Sequence, residues 1–218
     1  MKYTFLLAAF SLLTISFVTP PKKRIVFFGD SITQMGVNQG GYIDLLKKRF
    51  AAEGKLDQYE LIGAGIGGNK VYDLYLRVQE DVLDKKPETV VIYIGINDVW
   101  HKTSGTGTDK DKYEKFYRAL IQLFQKNNSK VVLCTPTVIG EKLNNANPQD
   151  ADLNAYSDVV RKLAGEKNCK LVDLRKIFSV YLNQHNTENK ESGILTTDRV
   201  HLNDKGNSLV AESMLSKL

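Results

Sequence analysis

The chain has 218 residues, 42% of them apolar and 25% charged, with a formal net charge of +5. That length suits one α/β domain with a substantial core, and the composition argues against both a disordered chain and a protein of many membrane spans. Lys and Arg are scattered among Asp and Glu, with one short cluster at Lys22, Lys23 and Arg24 and no basic-aromatic alternation, so no nucleic-acid partner is expected.

Residues 1–20, MKYTFLLAAFSLLTISFVTP, differ in kind from the rest. Lys2 is followed by an apolar run over 5–18, interrupted only by Ser and Thr, which stops at Pro20 and Pro21. A charged start and an apolar stretch make a secretory signal peptide the leading reading, although small residues near 14–19 must stand in for an A-x-A cleavage pattern. The run is slightly short of the roughly 20 residues a membrane span needs. A retained anchor over 3–19 and a buried first helix are the alternatives. The expectation is an exported protein, periplasmic or secreted, whose working domain is residues 21–218, with no stable membrane partner unless the segment is kept. No Cys precedes Cys134, which excludes a lipid-modified N-terminal cysteine.

Short β-branched runs then alternate with longer helical patterns. Strands are expected at 24–28, 59–63, 89–94, 130–135 and 170–173. Runs such as TVVIYI and KVVLC are apolar on consecutive positions, as strands covered on both faces require, so the sheet should be parallel. Amphipathic segments fill the intervals: GYIDLLKKRFAA, KVYDLYLRVQEDVL, DKYEKFYRALIQLFQK, ADLNAYSDVVRKLAGE and DKGNSLVAESMLSKL. In the third, Tyr113, Phe116, Tyr117, Leu120, Ile121 and Phe124 recur at helical spacing and read as core. Right-handed crossovers turn this alternation into a flavodoxin-like three-layer α/β/α sandwich with a five-stranded parallel sheet of order 2-1-3-4-5. The polar stretches 100–111 and 140–150 read as long loops with the length of lids. Cys134 and Cys169 would lie about 10 Å apart along neighbouring strands, beyond the roughly 7 Å between Cα atoms that a disulfide allows, and are expected to be free.

Ligands of open parallel sheets bind outside the carboxyl ends of the strands. The first such exit is GDSIT, with Gly29 expected to turn the chain sharply; the second is GAGIGGN and the third GIND. Beyond the fifth strand and a further helical stretch, LRKIFSVYLNQH, comes TTDRVHLND. Together these stretches can make an acyl-transfer site. A serine hydroxyl needs a base within hydrogen-bond reach, itself oriented by a third group. Ser31 is the candidate nucleophile, His201 the base, and Asp198, three residues before it, the orienting acid. The N–H groups of Ser31 and Gly68 and the Asn97 amide are candidate donors to an oxyanion.

Each stretch has an ordinary structural reading. Gly-Asp-Ser is a common turn or helix cap, Gly65, Gly67 and Gly68 can simply permit positive φ, Asn97 and Asp98 can cap a helix, and Asn203 or Asp204 can cap the last one. Their occurrence in order at successive strand exits favours the site. His101 reads as a rim residue beside Trp100 and His185 as an exposed one. The three histidines and two cysteines have no metal-ligand spacing.

With FGDSIT carrying Ser31, GIGGN carrying Gly68, GIND carrying Asn97 and DRVH carrying Asp198 and His201, the chain resembles the SGNH hydrolase superfamily, the GDSL-type esterases and lipases, over residues 25–215. The resemblance implies a flavodoxin-like fold, no metal or organic cofactor, and hydrolysis of esters or thioesters through an acyl-enzyme. FGDSITQ with QGGY, CTPT and HLNDKGN look most like the branch of isoamyl-acetate-hydrolysing enzymes and bacterial acetylesterases. Two positions depart from the family pattern: Arg199 stands where Gly is common, and Gly67 where Ser is frequent. The function expected is a serine esterase acting on short, above all acetyl, esters of carbohydrates or small alcohols. A lysophospholipase or thioesterase for longer acyl chains is the alternative enzyme. The non-enzyme alternative is a flavodoxin-like binding module, which would have no use for Asp198 and His201.

Overall fold

Runs of Val, Ile, Leu and Phe on consecutive positions form five strands: β1 (Lys23–Gly29), β2 (Tyr59–Gly65), β3 (Thr89–Tyr93), β4 (Lys130–Cys134) and β5 (Lys170–Val172). In this computed structural model, which describes residues 20–218, they make one fully parallel sheet of order β2-β1-β3-β4-β5, as the alternation predicted. The signal-peptide and anchor readings fall on the segment before Pro20 and lie outside the described residues.

Among the described residues eight α-helices cover the sheet: α1 (Ser31–Gly36), α2 (Tyr42–Ala52), α3 (Val71–Asp81), α4 (Ile96–Trp100), α5 (Lys110–Lys126), α6 (Asp150–Glu166), α7 (Leu174–His185) and α8 (Asp204–Leu215). The chain steps from β1 outward to β2, then back past β1 to β3, β4 and β5. Right-handed crossovers put helices of the first step and of the later steps on opposite faces. Accordingly α2 packs with α8, while α3 packs with α5 and α5 with α6.

The aromatic stripe of α5 is core, as its spacing implied: Tyr113, Tyr117, Leu120, Ile121 and Phe124 are fully buried, and Phe116 packs partly buried against Tyr72 and Tyr75. A buried tyrosine hydroxyl needs a partner. Tyr113 Oη donates to the Ile94 carbonyl at 3.0 Å, Tyr117 Oη to Ile92 at 3.3 Å, Tyr42 Oη to Thr33 Oγ1 at 3.0 Å and Tyr93 Oη to Thr137 Oγ1 at 3.1 Å. Cys134 lies opposite Val172, which puts Cys169 three residues back along β5, and both thiols are free.

Two expectations are revised. Gly29 does not provide a sharp turn: it is the last residue of β1, in register with Gly65 and Tyr93. What it provides is room, since a Cβ there would stand 2.3 Å from the Tyr93 carbonyl oxygen and 2.4 Å from Thr33 Oγ1. Stretch 100–111 is not one long loop, because α4 runs to Trp100, a 3-10 turn follows over His101–Ser104, and α5 starts at Lys110. Stretch 140–150 is the irregular loop expected, up to the start of α6 at Asp150, and it is fastened. Asn147 N–H and Nδ2 both donate to Asp150 Oδ2 at 2.9 Å, and the buried Arg175 guanidinium bonds Asp150 at 2.7 Å and the Thr137 carbonyl at 3.1 Å.

The turn itself is made by Asp30, the N-cap of α1, whose Oδ1 accepts from Ile32 N–H at 3.0 Å. Burial raises its carboxyl to about 7, the Ile32 hydrogen bond opposing and the Asp98 charge adding to the rise. A folded value above the unfolded one means that the native state holds a proton the unfolded chain has released. Asp30 therefore lowers stability as pH climbs from about 4 to 7.

Two outcomes follow from this region. Gly29→Ala is expected to reduce stability by about 3 kcal/mol, because backbone must move to admit the methyl group; a lower urea midpoint at constant slope is the measurement. Asp30→Asn keeps the cap acceptor but cannot ionise. Against the parent it should be near neutral at pH 4 and more stable at pH 8 by on the order of 2–4 kcal/mol, read from urea unfolding at both values.

Candidate active site

Ser31 stands on the first residue of α1, immediately beyond the end of β1. Its Oγ lies 3.0 Å from Nε2 of His201, 170 residues further along the chain. Nδ1 of the same ring lies 2.6 Å from Asp198 Oδ2. The other carboxylate oxygen of Asp198 accepts the N–H groups of His201 at 2.8 Å and Val200 at 3.1 Å. Asp198 thus closes a one-turn loop onto the ring it orients, as Asp-x-x-His spacing predicted. Partial burial works against its ionisation, but the His201 ring and the two amides outweigh it and hold the carboxyl below the usual range. The His201 ring is itself mostly covered, with 23% of its side chain exposed against 51% for Asp198, so the ring is sheltered and the carboxylate faces water.

The loop after β2 meets Ser31 from the side: a Cβ built on Gly67 would lie 3.9 Å from Ser31 Cβ. Gly67 N–H donates to Gln34 Oε1 at 2.8 Å. Gly68 has φ +76°, which favours glycine, and within the described residues neither its N–H nor that of Ser31 is engaged by a hydrogen bond. Gln34 therefore singles out Gly68, not Gly67, as the amide left for a ligand. Asn97, buried on α4, spends one Nδ2 hydrogen on the Asn69 carbonyl at 3.1 Å and retains a second. The structure thus brings Ser31, His201 and Asp198 into one hydrogen-bonded chain and links Asn97 to the Gly68 loop.

Several residues that hold this arrangement carry no local sequence signal. Arg77, on α3, donates to Asn69 Oδ1 at 2.7 Å, the Gly29 carbonyl at 2.8 Å and the Ala64 carbonyl at 3.2 Å, with its guanidinium 4.6 Å from the centre of the Phe28 ring. It ties the ends of β1 and β2 to the loop bearing Gly68. Lys70 Nζ donates to the Gly68 carbonyl at 3.1 Å. Asp98, whose carboxyl burial raises to about 6, accepts from Val71 N–H with both oxygens, at 3.2 and 3.3 Å. The spacing of Arg77 within an amphipathic helix looks like an ordinary surface charge, and only the fold reveals its partners.

The remaining titratable groups do not join the chain. His101 is half-buried beside Trp100, its ring pulled to a lower pKa by burial and by the Lys70 charge. His185 is exposed and stacked on Tyr181 at 4.0 Å. Arg199 adopts φ +86°, a left-handed conformation that suits the Gly of the family pattern, and its Nε lies 3.1 Å from Glu191 Oε1. Asn203 caps α8 by accepting from Gly206 N–H at 3.0 Å. Among the described residues no group of three or more His, Cys, Asp or Glu side chains could hold a metal ion.

The model of the GDSL-like lipase/acylhydrolase family matches residues 27–209. A solved acetyl xylan esterase, AlAXEase, is 61% identical, with a TM-score of 0.87, the match covering 88% of this chain and 98% of that one. An acetylxylan esterase of Geobacillus stearothermophilus is 29% identical over 212 residues, 90% of this chain and 94% of the relative. The isoamyl acetate-hydrolyzing esterase of Schizosaccharomyces pombe is 23% identical over 207 residues, 94% of this chain and 78% of the relative. Family match, sheet order and the succession of strand exits agree, and the chain belongs to the GDSL-like lipase/acylhydrolase (SGNH) family of carboxylic ester hydrolases.

Proposed function

We propose that this protein is a serine esterase that removes acetyl groups from carbohydrate esters through an acyl-enzyme. The observation that carries the reading is the unbroken chain from Ser31 Oγ through His201 to Asp198, beside donors that no protein group occupies. The acetyl-carbohydrate substrate is supported by the 61% identity to an acetyl xylan esterase and by the Geobacillus relative.

Ser31 Oγ attacks the ester carbonyl carbon while His201 Nε2 takes the hydroxyl proton. The carbonyl π pair moves onto oxygen, where Ser31 N–H, Gly68 N–H and the second Asn97 Nδ2 hydrogen receive the negative charge. Asp198 stabilises the imidazolium and fixes the ring tautomer. Collapse expels the sugar alkoxide, which takes the proton from His201, and leaves acetyl on Ser31. Water then attacks the acyl-enzyme with His201 again as base, releasing acetate and restoring the hydroxyl. Every proton moves through one nitrogen, so no further acid or base is required.

The apolar leader fits export of the domain spanning residues 21–218, where a polysaccharide substrate would be met. Among the described residues no helix is long and apolar enough to cross a membrane. N-terminal sequencing of protein recovered outside the cytoplasm should find the chain starting close to Pro20.

Ser31→Ala is expected to lower kcat on p-nitrophenyl acetate by at least about 10³-fold and to abolish labelling by a fluorophosphonate. An equal rate in the folded variant would refute the assignment. Asn97→Ala should reduce kcat by about 10²-fold with KM little changed, the signature of a donor used mainly in the transition state.

A further inference from the structure

Glu141 is a fully buried carboxylate, and among the described residues no cationic side chain pairs with it. A buried carboxyl group without a cationic partner requires dense hydrogen bonding. Four donors supply it, all from the segment that leads to Asp198. Oε1 accepts from Leu195 N–H at 2.7 Å, Thr196 N–H at 2.6 Å and Thr196 Oγ1 at 2.8 Å, and Oε2 accepts from Ile194 N–H at 2.8 Å.

The neighbouring backbone extends the joint. Gly140 N–H donates to the Arg199 carbonyl at 2.8 Å, between Asp198 and His201, and Glu141 N–H donates to the Glu191 carbonyl at 2.9 Å. Asn186 Nδ2 holds the Glu141 carbonyl at 2.8 Å. The stretch after β4 is therefore a rivet between the sheet and the loop carrying Asp198 and His201. Other contacts also hold that loop: Leu195 and Val200 are buried in the core, Asn203 N–H bonds the Leu195 carbonyl at 3.0 Å, Thr197 N–H bonds the His201 carbonyl at 2.8 Å and an isolated bridge pairs Thr196 with Leu202, while the Asp198 side chain is half exposed. The internal bonds set the shape of the loop. Its position relative to Ser31 depends on what fastens it to the sheet.

We infer that Glu141 is a positioning residue, whose carboxylate fixes the 194–201 loop so that His201 Nε2 meets Ser31 Oγ. The inference rests on the esterase reading for its kinetic consequence only. The chemistry also states why an acid is needed. A glutamine can keep the three bonds to Oε1 but must turn an NH₂ toward the Ile194 N–H, setting donor against donor. Alanine leaves four buried donors without partners.

The test compares the parent with Glu141→Gln, Glu141→Ala and a control, Val160→Ala, which opens a cavity in α6 without touching the loop. Three quantities are read on folded protein well below its Tm: kcat and KM on p-nitrophenyl acetate, the rate of fluorophosphonate labelling, and the downfield proton NMR signal of His201 Nδ1–H. A misplacement of about 1 Å is worth about 10²-fold in rate. Glu141→Ala should lose about 10²-fold in kcat and Glu141→Gln about 10-fold, with KM within about two-fold of the parent, labelling slowed in step and the downfield signal shifted or lost.

Val160→Ala should show a lower Tm with kcat, labelling and signal of the parent. The inference is overturned if Glu141→Gln retains parental kcat and signal, or if Val160→Ala loses as much activity for the same drop in Tm. Should Glu141→Ala not fold, the Gln variant decides. A parent that neither hydrolyses the ester nor labels at Ser31 would sink the esterase reading instead. The NMR signal would still report whether Glu141 holds the Asp198–His201 pair.

Discussion

No side chain fits at Gly29, and the site is built around that restriction. Its Cα lies so near the end of β3 that a Cβ would enter the Tyr93 carbonyl, and its own carbonyl accepts from Ile66 N–H at 3.3 Å and Arg77 at 2.8 Å. The ends of β1, β2 and β3 are thereby drawn together around one glycine. Ser31, two residues later, emerges beside the loop after β2, which Asn97 of α4 joins through the Asn69 carbonyl. The reversal of strand order between β2 and β3 opens the crevice. The absent side chain lets the walls close to the distances that hydrogen-bond donors need.

Buried acids maintain those walls, each with a different set of hydrogen bonds. Asp30 receives one amide hydrogen bond and Asp98 shares the Val71 N–H between its oxygens, which is not enough to offset burial, and both carboxyls rise. Glu141 receives four hydrogen bonds. The difference suits their places. Negative charge close to Ser31 and Asn97 would oppose an oxyanion formed there, and burial moves the carboxyls of Asp30 and Asp98, their neighbours in the chain, toward the protonated form. Glu141 sits behind the loop and binds the backbone.

What could be read from the sequence was whatever local periodicity or short spacing encodes. The consecutive apolar residues of β3 and β4, the stripe on α5 and the Asp-x-x-His turn each lie within one element, and each is found as expected. The joint order of four exits pointed to Ser31, Gly68, Asn97, Asp198 and His201, of which the structure joins Ser31, His201 and Asp198 in one hydrogen-bonded chain and links Asn97 to the loop of Gly68. Helices α1 and α4 escaped because six and five residues are too few to display a helical period. The role of Gly29 escaped because a close approach is a property of the neighbouring strand. Arg77 and Glu141 act over 48 and 55 residues, on Gly29 and Thr196 respectively, and such partners leave no local pattern.

The exposure of Asp198 explains why such distant partners matter here. An acid enclosed by packing is held by its surroundings, but the Asp198 side chain is 51% exposed and water screens its attraction for the imidazole. Its direction comes from the amides of Val200 and His201, which grip one oxygen and leave the other aimed at Nδ1. Because these amides belong to the same loop, the acid and the base form one rigid unit. Such a unit can be correctly made and still be misplaced as a whole. Its placement draws on the burial of Leu195 and Val200 and on what reaches it from the stretch after β4, namely Gly140 N–H on the Arg199 carbonyl and the Glu141 carboxyl on three successive amides. An exposed acid beside the His201 ring and a buried anchoring acid are thus complementary: the ring and two amides hold the first below the usual carboxylate range, and the second supplies the fixity that exposure removes.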